Sequence, residues 1–148
     1  MPVQDVYRAL AAVLDRPVLP LSGVDPDLLL DEVVLCDVWR RPGLFPVSVD
    51  CYRAPSEPGE TGVVAAFARL IGERCLVPDD TGNPNRFLLV APTGAVRAVH
   101  LDVADTEDGP VLSNLRYCGP ADPWCQEWLG CAPSCGLSDS VAPPYVVV

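Results

Sequence analysis

The sequence predicts an α+β fold, with one domain over residues 1–148 in which a mostly antiparallel sheet of about five strands is flanked by three or four helices. Hydrophobic residues make up 49% of the chain, so it can bury a core and is not expected to be disordered. Its strand-like segments are joined by short turns, and its helix-like segments do not alternate regularly with them. A doubly wound parallel sheet is therefore less expected. Neither an internal repeat nor a long linker divides the chain.

The first part of the chain predicts two helices followed by two strands. Apolar side chains recur at helical spacing over residues 5–16, which predicts a helix. Asp25 followed by Pro26 is typical of the start of a second, short helix, because Asp can accept hydrogen bonds from the first turn and Pro lacks a donor there. Residues 33–39 and 45–52 predict strands, and apolar and polar positions alternate in the second.

The middle of the chain predicts a helix and then a meander of strands. Residues 61–74 carry an apolar stripe at helical spacing. Strands predicted at 86–91 and 95–103 are separated only by a Pro-Thr-Gly turn, so we expect a tight hairpin. Residues 111–118 supply a further strand after an acidic turn.

The last third of the chain predicts one more helix, over residues 122–129. Trp124 and Trp128 lie four residues apart in this helix, a spacing that is typical of a stripe facing the core. An anchor for a partner protein is the alternative, because Trp is enriched in such anchors. Residues 145–148 can add a short edge strand.

The charged residues exclude several classes of function. Twenty acidic residues against ten basic ones give a net charge of −10, whereas phosphate contacts need clustered basic side chains, so we do not expect a free-standing nucleic-acid binder. All of the basic residues are Arg. A chain without Lys has neither the Lys of a P-loop nor a Lys that forms a Schiff base.

The sequence also predicts a cytoplasmic protein that has no membrane partner. Its N-terminus shows no basic segment followed by an apolar core, and no apolar run approaches the roughly 20 residues needed to span a bilayer. Cysteines in the cytoplasm are expected to be reduced. Their odd total of seven also fits poorly with a complete disulfide framework.

A cluster of cysteines near the C-terminus is the strongest chemical signal. Their spacing is Cys-x6-Cys-x5-Cys-x3-Cys, in which only the last pair approaches the short spacing that zinc ligands usually have. A structural zinc site with four Cys ligands is one interpretation, and packed free thiols or a partial disulfide are the others. The cofactor prediction is therefore none or zinc. The four cysteines are Cys118, Cys125, Cys131 and Cys135.

The only histidine, His100, offers a catalytic alternative. In a regular strand, His100 and Asp102 lie on the same face, and a His–Asp pair beside a thiol is the skeleton of nucleophilic catalysis. A thiol enzyme or redox sensor would then use Cys131 or Cys135. Neither a nucleophile elbow nor an oxyanion loop is recognisable near His100, so the sequence favours a protein that is not an enzyme and predicts no catalytic residue.

Elimination of these classes leaves protein–protein binding as the leading hypothesis. An acidic surface complements a basic partner and speeds their encounter, as in an immunity or antitoxin-type inhibitor of a basic toxin in bacteria. The oligomeric state is not predicted. The acidic residues expected to contact such a partner are Asp79, Asp80, Asp102, Asp105, Glu107 and Asp108.

Overall fold

Two helices and seven strands make up the part of the chain that the structure, a computed structural model, describes. The described residues are 1–25, 27, 32–57, 59–79, 82–119, 122, 123, 125 and 131. The helices are α1 (Val3–Leu14) and α2 (Glu60–Ile71). The strands are β1 (Val18–Pro20), β2 (Val34–Arg40), β3 (Val47–Tyr52), β4 (Cys75–Pro78), β5 (Arg86–Val90), β6 (Val96–Thr106) and β7 (Gly109–Tyr117).

The first three strands form one sheet beneath the helices. Its order is β1-β2-β3, with β1 parallel to β2 and β2 antiparallel to β3. Helix α1 buries Val6, Leu10 and Leu14, which follow one another at intervals of four residues and so lie on one side of the helix. This stripe packs with the sheet and with α2 residues such as Phe67 in the main hydrophobic core.

The last four strands form an antiparallel meander in the order β4-β5-β6-β7. Strand β6 is longer than β5, so only its first half, Val96–His100, pairs with β5. Its second half pairs with β7 as far as Thr106 and Gly109, and with no other strand in the described ranges. The register of β6 against β7 shifts between His100 and Asp102, which separates the two halves of the strand.

One close backbone contact joins the two sheets. Gly43 forms an isolated bridge with Leu112 of β7, and the neighbouring Leu44 N–H donates to the Leu112 carbonyl over 3.2 Å. Gly43 has φ of 112°, and a Cβ at this position would lie 2.7 Å from the Leu112 carbonyl oxygen. Both the left-handed backbone and the close approach therefore require glycine here.

The α+β class predicted from the sequence is confirmed, whereas the single sheet of about five strands is wrong. The helices predicted over 5–16 and 61–74 are present as α1 and α2, and the five predicted strands up to residue 118 correspond to β2, β3, β5, β6 and β7. The sequence missed β1, which has three residues, and β4, which has four, because strands this short carry little periodicity. The division into one domain stays a prediction.

Two other predicted helices cannot be assigned. The short helix after Asp25 and the helix over 122–129 fall largely outside the described residues, as do Trp124, Trp128 and the predicted edge strand at 145–148. Only two helices are present in the described ranges, against the three or four predicted. Neither of them is long and apolar enough to cross a membrane.

Candidate metal centre

Four side chains with metal-binding atoms converge at the end of the meander. His100 comes from β6, Cys118 follows the last residue of β7, and Cys125 and Cys131 come from the segment after it. One nitrogen or sulfur atom from each lies within 4.8 Å of the others. His100 and Cys131 are 0% exposed, Cys125 is buried and Cys118 is half-buried. We call these four residues the His-Cys cluster.

The distances between the sulfur atoms match a shared metal ion better than a disulfide. The three Sγ–Sγ distances are 3.4 Å for Cys118–Cys125, 3.2 Å for Cys118–Cys131 and 3.6 Å for Cys125–Cys131. A disulfide bond is about 2.05 Å long. A tetrahedral ion with metal–sulfur bonds of about 2.3 Å holds its sulfurs about 3.8 Å apart. The cluster can therefore hold a metal ion with little adjustment.

The imidazole of His100 completes the fourth corner of the cluster. Its Nε2 lies 3.1 Å from the Sγ of Cys131 and 3.8 Å from that of Cys125. Burial lowers the pKa of His100, an effect that Asp122 partly opposes. The ring is therefore neutral at physiological pH, and a neutral imidazole is the form that binds a metal.

Asp122 holds the His100 ring in this orientation. The Nδ1 of His100 lies 3.1 Å from Oδ1 of Asp122, whose side chain is 5% exposed. When Nδ1–H donates to this carboxylate, Nε2 keeps its lone pair on the side of the Cys131 sulfur and can bind a metal ion. Asp122 is held in turn by Arg116, whose Nε donates to Oδ2 over 2.7 Å, and Arg116 also contacts Asp102 at 3.1 Å. A chain of polar contacts thus holds the Nδ1 side of the His100 ring in place.

One backbone amide faces the cluster. The Gly119 N–H donates to the sulfur of Cys125 over 3.2 Å. A hydrogen bond from a backbone amide stabilises negative charge on the sulfur, and the thiolate is the form of Cys that binds metals. Positions 118 and 119 lie directly after β7, so the end of that strand supplies both a ligand and a donor.

Asp122, and not Asp102, contacts His100, at the point where the register of β6 against β7 shifts. The shift lies between His100 and Asp102, and Leu101 between them donates its N–H to the Asn85 carbonyl and accepts from the Asn85 side-chain amide. Asp102 is then turned toward β7, where it accepts from Arg116 and Asn114. The sequence argument that placed Asp102 beside His100 assumed a regular strand.

The cluster also contains the outline of a nucleophilic triad. Cys131, His100 and Asp122 follow one another at 3.1 Å in each step, as a nucleophile, a base and an orienting acid would. Both Cys131 and His100 are fully buried, however, and two further sulfurs surround the same ring. A nucleophile needs contact with its substrate, so these positions fit metal ligation better than catalysis.

The structure brings together three of the four cysteines that the sequence predicts as metal ligands, and their binding of a metal stays a prediction. Cys118, Cys125 and Cys131 come together, whereas Cys135 lies outside the described residues. His100 takes the fourth place, which the sequence argument had assigned to Cys135. The signal that could have revealed it was the predicted pairing of strands 95–103 and 111–118, which brings the only histidine near Cys118 at the end of the second strand.

The six acidic residues predicted to contact a partner lie in different surroundings. Asp79 forms an ion pair with Arg86 in which both side chains are less than 10% exposed, so it faces the interior. Asp80 lies outside the described residues, and Asp102 belongs to the network behind the metal centre. The remaining three are exposed at the tip of the β6–β7 hairpin, and they are Asp105, Glu107 and Asp108.

Comparisons of the chain with models of protein families, with curated proteins and with solved structures found no match, so the assignment of this centre depends on its own geometry.

Proposed function

We propose that this chain is a zinc-binding protein in which a Cys3His site fixes the segment after β7 on the four-stranded sheet. The observation that carries the proposal is the convergence of three sulfurs and one imidazole nitrogen within 4.8 Å. Zinc prefers this donor set in a tetrahedral arrangement, and thiolates disfavour the hard ions magnesium and calcium.

The role of the zinc is structural. Catalytic zinc sites usually have three protein ligands and one open position for water or substrate. The His-Cys cluster offers four protein ligands, and at least three of them are buried. Zinc in this place joins β6, the end of β7 and positions 125 and 131 into one unit, so that metal binding and folding of this region are coupled.

Metal analysis of purified variants tests this proposal. We expect wild-type protein to carry one zinc ion per chain, and His100→Ala, Cys118→Ser and Cys131→Ser each to lose it. Cys75→Ser is the matched control, because Cys75 is also fully buried but belongs to β4 and not to the cluster. Native mass spectrometry of protein purified without chelator gives the stoichiometry directly.

Cys135→Ser decides between the Cys3His site and the four-cysteine site predicted from the sequence. In the Cys3His site the variant retains its zinc, and in the four-cysteine site it loses it while His100→Ala retains it. If wild-type protein binds no zinc, even after refolding in the presence of zinc, both the Cys3His site and the four-cysteine site are wrong.

We also propose that the chain binds a basic protein, as an immunity or antitoxin-type inhibitor does. The exposed acidic tip of the β6–β7 hairpin supports this second proposal. The hairpin extends beyond β5, so Asp105, Glu107 and Asp108 surround its turn, and among the residues that the structure describes no further strand pairs beside it. Like charges gathered on a projecting hairpin attract a partner of opposite charge.

Charge-reversal variants test whether partner binding depends on this hairpin or only on the net negative charge of the chain. Replacing the three tip residues by Arg should abolish capture of a basic partner from the native host, whereas the same change at Glu32, Glu57 and Glu73 should not. These control residues are exposed and change the net charge equally. Equal loss in both triple variants would show that only the overall charge matters.

A further inference from the structure

A second pair of cysteines lies in the other sheet and has a different geometry. Cys36 of β2 and Cys51 of β3 are directly opposite one another in the antiparallel register, and neither forms a disulfide. Their sulfur atoms are only 2.8 Å apart. Two sulfurs that share a tetrahedral zinc ion lie about 3.8 Å apart, so this pair is too close for the metal and close to the spacing needed for a disulfide. We call it the dithiol.

The two thiols of the dithiol differ in access to solvent. Cys36 is 0% exposed and belongs to the main core, and the Tyr7 hydroxyl of α1 donates to its carbonyl over 3.2 Å. Cys51 is exposed, as are all of the last three residues of β3, whereas the first three are buried. One thiol can therefore meet a reagent from solution while the other is held behind it.

The two thiols also differ in acidity. A hydrogen bond from Cys36 lowers the pKa of Cys51, against the opposing effects of burial and of Asp50 and Glu60. The same contact, together with burial and the nearby acidic groups, raises the pKa of Cys36. Cys51 therefore has the more acidic thiol, and it is also the exposed one, so it is suited to attack a disulfide and the buried Cys36 to resolve the product.

Cys51 opens on a cavity of about 670 Å³ between the two helices and the edge of β3. The wall is apolar where α1 and α2 face it, with Leu10, Val63 and Phe67, and it is acidic near the thiol, with Asp50 and Glu60. A cavity of this volume accepts a small organic molecule. The acidic groups beside the thiol favour a neutral or cationic molecule over an anionic one.

We propose that the dithiol is an exchange site that reduces small neutral or cationic organic disulfides. The Cys51 thiolate attacks one sulfur of the disulfide, forming a mixed disulfide and releasing the first thiolate, which takes the proton of Cys36. The Cys36 sulfur then attacks that of Cys51 and releases the second thiolate, which takes a proton from water. The substrate gains two electrons and becomes two thiols, while Cys36 and Cys51 become a disulfide. Excess thiol reverses both steps.

Intact-mass analysis after treatment with cystamine, a cationic disulfide, tests the exchange. Reduced wild-type protein should lose the mass of two hydrogen atoms, and peptide mapping should place the new disulfide between Cys36 and Cys51. Cys36→Ser should stop at a cysteamine adduct on Cys51. Cys51→Ser should leave Cys36 unmodified, since Cys36 is buried.

Cys75→Ser is the matched control for the loss of a core thiol and should react as the wild type does. Because peptide mapping assigns each modified thiol, the test does not depend on whether zinc occupies the His-Cys cluster. Wild-type protein that keeps a stable adduct on Cys51, or whose disulfide maps elsewhere, would overturn the proposal.

Two further variants test the cavity and its charge. Wild-type protein should react about fivefold faster with cystamine than with the anionic oxidised glutathione, and Asp50→Asn should reduce this ratio. Val63→Phe narrows the apolar wall and should slow the reaction with cystamine, with α2 shown by hydrogen exchange to remain folded. Reaction rates that are unchanged by both substitutions would show that the cavity does not bind the disulfide, and would overturn the assignment of the substrate.

Discussion

The two groups of neighbouring cysteines in this chain differ in the distance between their sulfurs and in what surrounds them. In the His-Cys cluster the sulfurs are 3.2 to 3.6 Å apart, a backbone amide faces one of them and an imidazole faces another. In the dithiol they are 2.8 Å apart, and one of them opens on a cavity. The first arrangement supports several thiolates around a cation, and the second supports one thiolate beside one thiol. Under the two proposals, cysteine would bind a metal ion in one sheet and exchange disulfides in the other.

The largest expected effect is that of removing zinc. A strong chelator should lower the melting temperature of the protein by at least about 10 °C, because structural zinc contributes on the order of 10 kcal/mol to the folding of small zinc domains. Alkylation of Cys51 in the folded protein should keep its rate, since the dithiol belongs to the other sheet. Differential scanning calorimetry with parallel zinc analysis makes the measurement. Loss of zinc without a change in melting temperature would show that the His-Cys cluster does not differ from the dithiol by a structural role of zinc.

A smaller effect is expected from the residue that orients the histidine. Asp122→Asn should weaken zinc affinity by about 10- to 100-fold, because the amide can no longer accept from His100 as a charged carboxylate does. Asp102→Asn, one contact further along the same network, is the control and should have less effect. Competition with a chromophoric chelator gives both affinities. Equal affinities of the two variants would argue that Asp122 only packs.

The smallest effect concerns Cys75, which belongs to neither group. Burial raises the pKa of its thiol to about 12 from the ordinary value of 9.0. Since the folded protein keeps this proton and the unfolded chain releases it, the stabilisation is complete below pH 9 and is lost as the pH rises toward 12. In this range the free energy of unfolding of the wild type should fall more steeply than that of Cys75→Ala, by up to about 1.4 kcal/mol per pH unit.

Urea titrations at several alkaline pH values give these slopes, and the other thiols contribute equally to both proteins. Parallel slopes would mean that Cys75 reaches solvent in the native state. It would then be as open to reagents as Cys51, and the contrast between reactive and inert thiols would disappear.

The sequence predicted the longer elements because their patterns are local. The apolar stripe of α1 and the tight Pro-Thr-Gly turn between β5 and β6 depend on neighbouring residues, and both are present. The helix begins at Val3, however, so Asp5 lies in its first turn and not at its cap. The boundary of a helix is less strongly encoded than its apolar face.

The division into two sheets and the membership of the metal site depend on contacts between distant residues. No local pattern distinguishes a continuous sheet from two sheets that meet at Gly43 and Leu112. The cysteine spacing identified three ligands, but His100 joins them only through the pairing of β6 with β7. Its orienting partner, Asp122, contacts His100 beside the register shift of β6 against β7.

The position of the metal ligands along the chain sets an order of assembly during synthesis on the ribosome. Both helices and the whole first sheet, with its dithiol, lie before residue 75, whereas every ligand lies at residue 100 or later. Cys36 and Cys51 can therefore pair across their strands before a zinc-binding thiol has left the exit tunnel. The dithiol can therefore form its pair without competition from the thiols of the His-Cys cluster, which are synthesised later.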